Sequence, residues 1–89
     1  MASFELGRLL ATPGVLKAAG GEDLRPYLSR HARGDWGTAS AADGRANDRG
    51  LKEGTRLLSA YMLRDGTTKI WIITEADRSA TTILLPDEY

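Results

Sequence analysis

The feature that most constrains this chain is a change of hydrophobic period near residue 56. Before it, apolar residues recur every third or fourth position; after it, they alternate. In "RLLSAYML" (56–63), Leu57, Ser59, Tyr61 and Leu63 fall on one side, and Leu58, Ala60 and Met62 on the other. "TKIWIITE" (68–75) and "ATTILLP" (80–86) are β-branched and aromatic, which suits a pleated, half-buried surface, and Pro86 stops the second of them. Asp65-Gly66 lies between the first two runs and is a hairpin signal, because primed turns need residues that tolerate positive φ. "EADRSA" (75–80) joins the second run to the third. Three such runs in succession predict an antiparallel meander over 56–86.

A three-stranded sheet needs cover on one face, and residues 1–55 are expected to supply it as helices. "SFELGRLLAT" offers Ser3 as an N-cap, with Phe4, Leu6, Leu9 and Leu10 as the buried face. Thr12 caps a second helix, with Pro13 at its first position and Gly20 as its stop. In "EDLRPYLSRHARG", Pro26 is tolerated in the first turn, Leu24, Tyr27, Leu28 and His31 share a face, and Gly34 ends the helix. Ser40 and Asp43 approximate a capping box for a further helix that Gly54 closes. Asp43 and Asn47, four apart on it, either clamp backbone of the next segment or lie solvated. The expectation is one α+β domain over 1–89, mainly helical over 1–55, with N-terminal helices packed on a three-stranded antiparallel meander over 56–86.

Composition narrows the function classes. There is no cysteine and a single histidine, so thiolate metal sites and disulfides are excluded and no metal or cofactor is expected. Twelve basic and twelve acidic residues balance, unlike a domain whose main task is gripping phosphates. No apolar run is long enough to span a membrane, and "MASFELGRLL" lacks a signal-peptide flank. These features are those of a soluble, cytoplasmic protein with no membrane partner.

Two segments concentrate chemistry. "RHARGDWG" holds Arg30, His31, Arg33, Asp35 and Trp36 between helix and sheet. It reads either as a helix end pinned by Trp36, with Asp35 capping or pairing with a neighbouring arginine, or as a histidine acid–base group beside cationic stabilisers for a phosphate. Its Arg-Gly-Asp triplet matches the integrin-binding tripeptide by chance. "TEADRSATT" holds Glu75, Asp77, Arg78 and four hydroxyls at the rim of the sheet, where sites are commonly built. Thr82 points opposite to Thr81, so one hydroxyl can face a cleft while the other faces the helices.

Taken together, "RHxRGDWG", "LLSAY" and "WIITEADRSATTILLPDEY" resemble a family of small proteins carried by phages, plasmids and other bacterial mobile elements. The resemblance implies an accessory role in the bacterial host cytoplasm, often inhibition of host defence of the anti-CRISPR or anti-restriction type. Its partner would be a host protein or defence complex, bound through Arg30, Arg33, Asp35, Trp36, Glu75, Asp77 and Arg78. A second, architectural likeness is to barnase, colicin and RelE-like ribonucleases, which implies metal-independent RNA cleavage by His31, Arg33, Arg56, Glu75, Arg78 and Thr82. The neutral charge departs from the strongly basic RelE-like toxins. A third expectation is a structural homodimer, because "ATTILLP" is unusually apolar for an edge strand.

Overall fold

The computed structural model describes residues 4–89, so Ser3 lies outside the described residues. Helix α1 (Pro13–Ala19) begins where the Val15 amide donates to the Thr12 hydroxyl at 3.1 Å, and it ends on Gly20 at φ 59°. Helix α2 (Arg25–Ala32) carries Pro26 in its first turn and is followed by Gly34 at positive φ. Helix α3 (Ala41–Glu53) starts on Ser40, whose side chain accepts the Asp43 amide at 3.1 Å, and stops on Gly54. Strands β2 (Leu57–Met62), β3 (Lys69–Thr74) and β4 (Ala80–Leu84) form the expected antiparallel run, with Leu57 opposite Thr74 and Thr74 opposite Thr81.

The first expected helix does not form. Residues Arg8–Ala11 instead make a strand, β1, which pairs with β4 in parallel. The sheet is therefore mixed and four-stranded, in the order β1-β4-β3-β2, rather than a three-stranded meander. Gly7 decides the matter locally. It sits at φ 65° against the carbonyls of Arg78 and Ser79, where a Cβ would overlap backbone. The chain can then run beside β4, with the Arg8 amide on Ser79 O at 2.9 Å and the Thr12 amide on Ile83 O at 3.1 Å. This also corrects the expectation that β4 is an edge. It is flanked on both sides, so the apolar run Ile83–Leu85 is used inside the fold.

Alternation assigns the two faces. Leu57, Ser59, Tyr61, Ile70, Ile72, Thr74, Thr81 and Ile83 share the face covered by α1 and α2, and all are buried. Val15 and Tyr27 pack into that core, with Ala19, Leu24, Leu28 and Leu85 at its margin. The short 3-10 turn Pro86–Glu88 returns the C-terminus over the sheet, and Tyr89 meets the Trp71 ring edge-on at 5.9 Å.

The sheet's two edges are treated differently. On β2, Asn47 of α3 behaves like a strand residue: its Nδ2 donates to Leu58 O at 2.7 Å and its Oδ1 accepts the Leu58 amide at 2.9 Å. One step along, the Ala60 amide donates to Trp36 O at 3.2 Å, and the Thr38 amide to Ala60 O at 2.7 Å. Gly37 makes that approach possible, at φ 68° and with no room for a Cβ against Ala60. The outer edge of β1 has no such cover among the described residues, and all four of its residues are exposed.

Candidate functional site

The fold draws His31 inward rather than into a cleft. Residues Leu24, Tyr27, Leu28 and His31 share the sheet-facing side of α2, and His31 is 0% exposed. Its Nδ1 lies 2.5 Å from Ser59 Oγ, and its Nε2 lies 2.8 Å from Thr74 Oγ1. Thr74 Oγ1 in turn lies 2.7 Å from Thr81 Oγ1, which donates to Leu6 O at 2.7 Å. The terminal carbonyl can only accept, and this sets the direction of the whole chain. Thr81 donates to Leu6, Thr74 to Thr81, and His31 through Nε2–H to Thr74. Nδ1 must then accept from Ser59. The imidazole is neutral, and burial holds its pKa at about 4.

Four buried polar side chains are thus fully satisfied, as buried groups must be. The sequence reading placed Ser59 on the side of Leu57 and Tyr61 and set Thr81 opposite Thr82, but it joined neither of them, nor Thr74, to His31. The signal was there: each puts a hydroxyl at a core-facing position of a different strand.

Above His31 lies an aromatic lid. Phe4 meets the imidazole edge-on at 5.2 Å, and Trp36 meets it at 5.7 Å. The Phe4 and Trp36 rings stack with their centres 6.2 Å apart and their planes inclined by 29°, and the Trp36 Nε1 donates to Asp48 Oδ1 at 3.2 Å. The Arg78 guanidinium stands 5.8 Å from the centre of the Phe4 ring. Phe4, read only as a helix-face residue, therefore joins the two segments that concentrate chemistry, one through Trp36 and the other through Arg78.

Several of the expected contact residues serve the chain's own architecture. Arg30 pairs with Asp35 at 2.7 Å and covers the Tyr61 ring, and its hydrogen bond holds the Asp35 carboxyl below its ordinary pKa. Arg78, at φ 63°, donates to the carbonyls of Thr55, Glu75, Ala76 and Gly50, which ties the β3–β4 turn to the C-terminal end of α3. Asp77 accepts the Ser79 amide at 2.9 Å inside that turn, and Glu75 lies exposed at its start. Arg56 donates to the Tyr89 hydroxyl and lies over its ring. Thr82 is on the sheet face opposite to Thr81. Arg33 is exposed, and no hydrogen bond or ion pair engages its side chain among the described residues.

His31, Arg33, Arg56, Glu75, Arg78 and Thr82 are consequently not gathered in one cleft. A general acid–base group needs reach to a substrate proton, and both nitrogens of His31 face strand hydroxyls under two aromatic rings. Among the described residues, no group of three or more acidic or histidine side chains is placed to hold a metal ion, and no helix is long and apolar enough to cross a membrane.

The Tyr61 hydroxyl fastens this region from below by donating to Asp35 O at 2.6 Å. Tyr61→Phe keeps the buried ring and deletes that bond. The expected cost is about 1 kcal/mol, a fall of roughly 4–8 °C in the thermal midpoint by calorimetry.

Comparison of the chain with protein-family models, curated proteins and solved structures finds no match.

Proposed function

We propose that this chain acts by binding another protein rather than by catalysis, through the surface around Trp36, Phe4 and Arg33. One observation carries the reading. The half-buried Trp36 and Phe4 are stacked and held from both sides, by Asp48 and by Arg78, and three positions before Trp36 in the chain Arg33 is exposed and, among the described residues, unengaged. Tryptophan and arginine are enriched at binding hot spots, and rings fixed before binding lose little entropy on contact. The enclosure of His31, with both ring nitrogens on strand hydroxyls, favours binding over the ribonuclease reading. The resemblance to mobile-element proteins directs the choice of partner to a host protein or defence complex, with inhibition as the role.

Arg33→Glu tests this without disturbing the lid, since an exposed, unpaired substitution changes stability by roughly 0.5 kcal/mol or less. Both forms are immobilised and exposed to bacterial host lysate, and retained proteins are quantified by mass spectrometry. The expected result is a discrete partner held by the wild type and weakened about 10- to 100-fold by the variant. Identical capture by both forms would remove Arg33 from the contact and the proposal with it.

A further inference from the structure

We infer that two copies of this chain join along β1, making one continuous sheet from two four-stranded halves. The seam lies at the sheet edge opposite Trp36 and goes beyond the proposed partner surface.

The backbone supplies the first part of the case. In a strand, the amide and carbonyl groups of successive residues point to opposite sides. The amides of Arg8 and Thr12 donate to β4, so those of Leu9 and Ala11 point away from it. They form an open edge on a strand that carries two exposed leucines between Arg8 and Ala11: Leu9 is 54% exposed and Leu10 42% exposed. Natural proteins usually blunt such an edge or pair it. This fold blunts the opposite edge with Asn47 and the Trp36–Thr38 segment and leaves β1 uncovered among the described residues.

Register supplies the second part. An antiparallel pair across a two-fold axis must set outward-facing residues opposite one another. Ala11 opposite Ala11 would place Leu9 against Pro13, which belongs to α1 and has no amide hydrogen. Leu9 opposite Leu9 would set Gly7 against Ala11, and Gly7 at φ 65° has already left the strand. Leu9 opposite Ala11 uses the whole strand. Leu10 then meets Leu10 of the other copy, and Arg8 meets Thr12 with no like charges opposed. Each Leu9–Ala11 pair exchanges two main-chain hydrogen bonds. An apolar trough of about 380 Å³ flanks the strand on the helix-covered face, lined by Leu9, Leu16, Leu24, Leu28 and Ile83. Leu16, itself 56% exposed, adds apolar surface beside the seam. Backbone pairing and exposed leucines are therefore matched on one self-complementary strip, as an isologous interface requires.

Light scattering on the eluting protein, from about 1 to 100 μM, measures the mass directly. Amide hydrogen exchange resolved by NMR reads the seam. The expected result is a mass approaching twice 9.7 kDa with rising concentration, and slowed exchange at Leu9 and Ala11 in the dimer. Leu10→Lys sets two ammonium groups opposite each other, and should hold the protein at monomer mass with an unchanged circular dichroism spectrum. A monomer at every concentration overturns the inference and leaves the edge to a strand from some other protein. A dimer in which Leu9 and Ala11 exchange freely also overturns it, because the copies then meet elsewhere.

Discussion

His31→Ala is expected to destabilise the fold by about 3–5 kcal/mol, a large fraction of the roughly 5–15 kcal/mol that holds a domain together. Two costs combine. Removing the ring leaves a void beneath Phe4 and Trp36, and it strips a partner from both Ser59 and Thr74 in a region closed to water. Urea denaturation followed by tryptophan fluorescence reads the loss, with Trp36 as a local reporter. The combined replacement His31→Leu, Ser59→Ala and Thr74→Val should recover most of it, because an unmade buried hydrogen bond costs more than an absent one. A His31→Ala protein as stable as the wild type would contradict the closed relay.

The same imidazole sets a pH dependence. Its pKa falls from 6.5 to about 4 on folding because burial disfavours the charged ring. Between those values the unfolded chain binds a proton that the folded chain does not, so stability is complete above pH 6.5 and falls as the pH drops toward 4. The loss amounts to about 3 kcal/mol. Carboxylates held low by local hydrogen bonds, Asp23 and Asp65 at about 2, lose their contribution only below their ordinary 3.8. Glu88, held low by the Leu85 amide and the Thr12 hydroxyl, begins to lose its contribution below 4.5, so the window from 6.5 to 4.5 belongs to the chain's single histidine. A midpoint that falls across this window in the wild type and stays flat in the triple replacement is the expected outcome.

What the sequence made legible was whatever is decided within a few residues. Thr12-Pro13 with Gly20, and Ser40 with Gly54, close helices by local hydrogen bonds and left-handed turns. The alternation of Leu57, Ser59, Tyr61 and Leu63 separates core from surface without knowledge of the partner strand. β1 was hidden for the converse reason. Phe4, Leu6, Leu9 and Leu10 fit a helical stripe, a four-residue edge strand shows no alternation, and its parallel partner lies about seventy residues away. The candidate surface was half legible. Gly34 and Trp36 announced a pinned turn, and Asp35 an ion pair with a neighbouring arginine, which Arg30 supplies; Arg78 was read as a contact residue at the sheet rim, whereas it gathers four carbonyls. His31 lay on the apolar side of α2 by spacing alone. Its role emerged only when three strand hydroxyls converged on it and on one another.

Asn47 carries the second large effect, because one carboxamide does the work of a strand at the edge of β2. It is 3% exposed and exchanges two hydrogen bonds with Leu58. Asn47→Ala leaves the amide and carbonyl of Leu58 without these partners and should cost about 2–4 kcal/mol. Asn47→Asp separates the two bonds. It keeps an acceptor for the Leu58 amide, but turns a carboxylate oxygen toward the Leu58 carbonyl where the amide nitrogen stood 2.7 Å away. At neutral pH it should therefore be at least as damaging as alanine, although it preserves volume. The second consequence is in assembly. With the Leu58 end of β2 uncovered and only the Trp36–Thr38 segment left on Ala60, a chain that also pairs through β1 has two edges open to pairing, and copies can add at both without closing. Asn47→Ala should then form species larger than a dimer in light scattering, and adding Leu10→Lys should cut them back by removing one of the two seams. An Asn47→Asp protein with wild-type stability would mean that the carboxamide is not what closes this edge, and that the Trp36–Thr38 segment guards β2 alone.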